Sequence, residues 1–68
     1  MRPDNVYKSV EITGTAATVD EAIRGAIAKA AQTLRHIDWF EVLTIRGHVR
    51  ASEVGHVQVT LKIGFRLE

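Results

Sequence analysis

The sequence predicts an α+β fold: a β-α-β-β chain whose three strands form one antiparallel sheet in the order 1-3-2, with a single helix on one face. Three observations lead there. Between Val54 and Leu67 apolar and polar residues alternate almost without a break, the period of a strand with one buried face. Between Val19 and Leu34 apolar residues return every three or four positions, the period of an amphipathic helix. That helix, as a crossover, leaves the strands before and after it running the same way, so a third strand placed between them pairs antiparallel with both.

Taken in order, the first strand runs from Val6 to Thr13, with Val6, Val10 and Ile12 on one parity, Lys8 as the exception, and Gly14 as its expected end. Thr18 followed three residues later by Glu21 matches a capping box, so the helix starts at Thr18. Its stripe is Val19, Ala22, Ile23, Ala26, Ile27, Ala30 and Leu34, with Arg24, Lys29, Gln32 and Arg35 facing away. Asp20 and Glu21 complement the positive helix start and Arg35 the negative end. Gly25 is the weak point, costing about 1 kcal/mol relative to alanine unless something packs closely there. The second strand, from Trp39 to Val49, changes parity: Phe40 and Val42 are even, Leu43, Ile45 and Val49 odd. A β-bulge near Val42 and Leu43 explains the change. It puts Phe40 and Val42 with Ile45 on the helix-packed face, and Trp39 with Arg46 and His48 on the other. The polar loop Arg50-Ala51-Ser52-Glu53 then makes a hairpin with the third strand.

The 68 residues hold one domain, expected to span 1–68 with 1–5, including the single proline Pro3, as a loose arm. A chain this short buries only about 60% of the surface its unfolded form exposes, so a lone subunit is marginal. Disulfides, a metal or self-association are the usual remedies. There is no cysteine and no cluster with metal-ligand spacing, which leaves self-association. Apolar and charged fractions of 46% and 25% are those of a globular chain rather than a disordered one. A formal charge of +1 offers no strong attraction to nucleic acid or an anionic membrane. No stretch approaches the roughly 20 apolar residues that span a bilayer, and the start lacks a secretory signal's apolar run. A cytoplasmic location is therefore expected.

The run Asp38-Trp39-Phe40-Glu41-Val42, then Ile45-Arg46-Gly47-His48, then Val57 through Leu67, resembles the dodecin family. The likeness extends from Val10 to Leu67 and takes in Gly14-Thr15, Glu21-Ala22-Ile23 and Ala31-Gln32-Thr33-Leu34. It implies a sheet curled around the helix and twelve copies closing into a hollow shell, the protein's partner being itself. It also implies flavins held as stacked pairs between tryptophans of symmetry-related subunits. Trp39 matches the stacking tryptophan, and Gln58 the glutamine that grips the pyrimidine edge of the isoalloxazine. Arg46 matches a position that is basic in bacterial members, which favours FMN over riboflavin, with FAD as a further alternative. Coenzyme A sites also occur in the family, and Lys29 and Arg66 are the candidates for its phosphates. Val57 departs from the pattern, since many members carry an aromatic residue before the glutamine.

The residue types suit those roles. An indole face stacks on a flat, poorly hydrated ring, adding roughly 0.5–1.5 kcal/mol beyond area burial. A glutamine amide offers a donor and an acceptor to the uracil-like edge, and a guanidinium is always charged and planar. Each has a plainer reading: a lone tryptophan heading a strand is more often core or interface, and a glutamine on a polar strand face is more often merely solvated. Arg46 equally suits a salt bridge between subunits. His36, His48 and His56 fall on three elements without zinc-site spacing, so no metal site is expected. Nor is an enzyme expected: there is no glycine-rich phosphate loop and no evident serine-histidine-carboxylate set. Stacking on both faces of a flavin also blocks hydride access to its reactive atoms. The alternatives are a structural homo-oligomer without flavin, a coenzyme A carrier and a flavin-dependent enzyme.

Overall fold

A computed structural model describes residues 5–67; most of the expected arm, 1–5, lies outside them. The chain runs β1 (Tyr7–Ala16), α1 (Val19–Ala30), β2 (Ile37–Arg50) and β3 (Glu53–Arg66). The sheet order is β1-β3-β2 with both pairings antiparallel, as the crossover argument requires.

Strand β3 is central, and its odd positions carry the core. Val59, Leu61 and Ile63 are fully buried and meet Ala22 of α1, with Val10, Ile12, Ile23, Ala26 and Ile27 packed around them. Gly14 does not end β1. It lies inside the strand, paired with Val59, and a Cβ there would collide with the Ala22 carbonyl oxygen and stand 3.0 Å from the Ala26 Cβ. The glycine is needed for close approach of helix to sheet rather than for a turn.

The cap forms, though not with the reciprocal pattern expected. The Glu21 backbone N–H donates to Thr18 Oγ1 at 3.2 Å, and the Thr18 hydroxyl donates to the Glu21 carboxylate at 3.0 Å. The helix proper stops at Ala30, short of Leu34. Tighter bonds follow, Gln32 N–H to the Lys29 carbonyl and Thr33 N–H to the Ala30 carbonyl, the 3₁₀-type closure common at helix ends. Leu34 still reaches the core. A Cβ on Gly25 would meet nothing within 4 Å, so within one subunit no packing offsets its cost.

The bulge in β2 is where the parity change places it: Val42 pairs with Leu61, Thr44 with Thr60, and Leu43 is left over. Two more register shifts lie between Ile37 and Trp39 and between Gly47 and Val49. Phe40, Val42 and Ile45 share the helix-side face by register. They are not covered, however: α1 lies over β1 and β3, and Phe40, Val42 and Ile45 are 47%, 38% and 56% exposed.

Ala51 and Ser52 form the hairpin turn, both with positive φ, 52° and 65°, the geometry of a type I′ turn that matches strand twist. Strand β1 ends opposite Val57, so the hairpin beyond it is a two-stranded ribbon. The radius of gyration is 14.0 Å and the longest extent 51 Å, against about 11 Å expected for a compact chain of this length.

Candidate functional site

The face of the sheet away from α1 is where the candidate residues lie. On it the even positions of β3, Gln58, Thr60, Lys62 and Gly64, meet Arg46, Thr44, Glu41 and Trp39 of β2 in cross-strand pairs. From β1 come Ser9, Glu11, Thr13 and Thr15. No helix covers this surface, and a hydroxyl pair, Thr13 and Thr60 at 3.1 Å, marks its middle.

Trp39 is seated on Gly64. The two are register partners, and a Cβ built on Gly64 would run into indole atoms Cε2, Cζ2 and Nε1. The ring therefore lies across the glycine, half-buried. Among the described residues its Nε1–H finds no hydrogen-bond partner although it is buried, a deficit worth about 1–3 kcal/mol. What position 39 offers a neighbour is thus its π face, not its donor. The role of Gly64 is invisible in the alternation of β3. Finding it needs the register, and the register depends on the shift that steps over Asp38.

Gln58 and Arg46 are direct cross-strand partners, which brings their side chains to about 5 Å at Cβ. Trp39 is not with them. From Gly64 to Gln58 along β3 is about 20 Å at strand rise, longer than an isoalloxazine ring. One subunit thus carries an indole at one end of the face and an amide-guanidinium pair at the other. They can meet around one small ring only if two copies contribute.

Lys29 and Arg66 are also apart. Lys29 lines a groove between helix and first strand with Ile12, Thr13, Ala26 and Gln32. Arg66 lies at the far end of β3, where its Nη2 donates to His36 Nδ1 at 3.4 Å, in a small polar groove with Tyr7 and Asp38. There the Tyr7 hydroxyl donates to Asp38 Oδ2 at 3.1 Å. His48 and His56, separate in the chain, are in ring contact near the hairpin end.

A small strand-helix-strand-strand subunit, with one uncovered aromatic-bearing sheet face and an apolar row left bare on β2, is a protein built to be completed by its own copies. The family model for dodecin matches residues 6–68. Dodecin of Thermus thermophilus is 52% identical over 64 residues, 93% of each chain. The structure of dodecin from Streptomyces coelicolor superposes with a TM-score of 0.89 at 47% identity, covering 98% of this chain and 97% of that one. Dodecin from Streptomyces davaonensis gives 0.88 at 45% identity, over 96% and 97%. The chain belongs to the dodecin family.

Proposed function

We propose that the protein is a homododecameric flavin store that stacks FMN against Trp39 at subunit interfaces, buffers the free flavin and catalyses no reaction. The observation that carries this reading is the seating of the Trp39 indole across Gly64 on the uncovered face, about 20 Å from the Gln58–Arg46 pair that suits the polar edge of the same ligand. Such a division makes little sense for a site within one subunit. It suits a flavin shared between copies.

The residues present fit the group. A flat π surface held against glycine receives the isoalloxazine; the Gln58 amide supplies the donor and acceptor that its pyrimidine edge needs. Arg46 beside it offers a fixed positive charge to the ring or the ribityl phosphate, which favours FMN over riboflavin. An indole in contact with an excited flavin donates an electron rapidly, so storage also quenches fluorescence and limits photochemistry. Tryptophan on one side and a second flavin on the other leave no approach for a hydride donor.

The direct test is to denature the purified protein and identify the released small molecule and its ratio to chains. FMN at close to one per chain is the expected result. A colourless preparation that stays colourless after incubation with FMN rejects the proposal.

A further inference from the structure

The hairpin joins two side chains that the flavin reading does not use. His48 lies at the register shift between Gly47 and Val49, and His56 in the stretch of β3 opposite it. Their ring centroids are 4.6 Å apart with planes tilted by 48°. Both residues are exposed, and with Val49, Arg50 and Gly55 they line an open groove of about 430 Å³.

We infer that His48 and His56 form a bidentate site for a divalent transition-metal ion, taking copper(II) most tightly and nickel(II) and zinc(II) more weakly. The ring spacing is the first argument. A metal about 2.0–2.1 Å from an imidazole nitrogen lies about 3.2 Å from the ring centre, so two rings sharing one ion at right-angled to tetrahedral geometry have centres about 4.5–5.2 Å apart. The observed separation of 4.6 Å already falls in that range.

The backbone around the pair is the second. A Cβ on Gly47 would stand 2.7 Å from the His56 carbonyl oxygen, and one on Gly55 would stand 3.5 Å from that of His48. Gly47 thus lets the strands close on each other beside the rings, whereas a Cβ on Gly55 would make only ordinary contact, and neither glycine places a side chain over the rings. The ligand chemistry is the third: neutral imidazoles suit copper, nickel and zinc and give copper(II) the highest affinity, whereas calcium and magnesium demand oxygen. Among the described residues no third histidine, aspartate or glutamate completes a cluster, so water fills the remaining positions. Arg50 on the same groove opposes a cation, but at these exposed positions water and salt screen it.

The site uses neither Trp39 nor Gln58, so it stands or falls apart from the flavin proposal. The full-length protein, stripped of metal by chelation, is titrated with copper(II) alone and followed by electron paramagnetic resonance. The expected spectrum shows coupling to two nitrogens. His48→Ala and His56→Ala should each lower copper affinity by at least ~10-fold, as loss of even an outer-shell partner does, while His36→Asn keeps wild-type binding. A wild-type spectrum with one coupled nitrogen overturns the inference without reliance on any variant. So does copper uptake that survives in a double His48→Ala, His56→Ala protein eluting at the wild-type volume.

Discussion

Gly64 and Trp39 act as one unit, because the indole occupies the space that any side chain at position 64 would need. Gly64→Ala must therefore displace the ring, even though Trp39 itself is unchanged. The expected outcome is a shift in tryptophan emission and a loss of FMN affinity of about 2- to 10-fold, the size of one lost aromatic stacking contact; unchanged emission would show that the ring does not rest there. At this scale the sequence is a partial guide. The even and odd positions of β3 assign Gln58 to the free face and Leu61 to the core directly, because an unbroken strand has a fixed period of two. The pairing of Trp39 with Gly64 is hidden, since it depends on a shift at Asp38 that leaves no mark in the apolar pattern.

The bulge at Leu43 is legible because it flips apolar parity inside one strand, and tertiary structure only had to agree. Gly14 is misleading because a glycine ending a strand and a glycine admitting a helix carbonyl look alike in one dimension. The shortened helix has the same origin: Leu34 keeps the helical spacing while the backbone tightens after Ala30. Two changes test the energetics of these elements, both measured by chemical denaturation at equal protein concentration. Gly25→Ala meets no obstacle within 4 Å and should stabilise by about 1 kcal/mol. A loss instead would mean that a neighbouring copy packs on Gly25. Ala51→Asn with Ser52→Gly replaces two residues held at positive φ by the pair that type I′ turns prefer. A gain of about 1 kcal/mol or more is expected, and no gain would mean that the turn is reshaped on assembly.

The whole molecule is too extended to be finished as a monomer. Among the described residues, the fully buried apolar ones are Ala22, Val59, Leu61 and Ile63, while Phe40, Val42 and Ile45 stay partly exposed beside α1 and no described element covers the ribbon beyond Val57. A two-stranded hairpin alone is marginal in water, so the assembly must supply what the chain lacks. The need for partners is legible in length and in the lack of cysteine; the exposure of the apolar row of β2 is not, because in the sequence it reads as ordinary core. Ile45→Glu puts a charge on that row without entering the core of the subunit. It should convert a particle near twelve times the 7.5 kDa chain into small species on light scattering; a particle of unchanged mass would place the contact elsewhere.

Whether Trp39 stacks on flavin is read most simply by titration. FMN is added to the ligand-free protein and to its Trp39→Ala form, and flavin emission is followed. Wild-type protein should extinguish the emission at about one flavin per chain, and the variant should bind at least ~10-fold more weakly and leave the bound flavin bright. Equal affinity and equal quenching in the two proteins would mean that Trp39 does not hold the flavin.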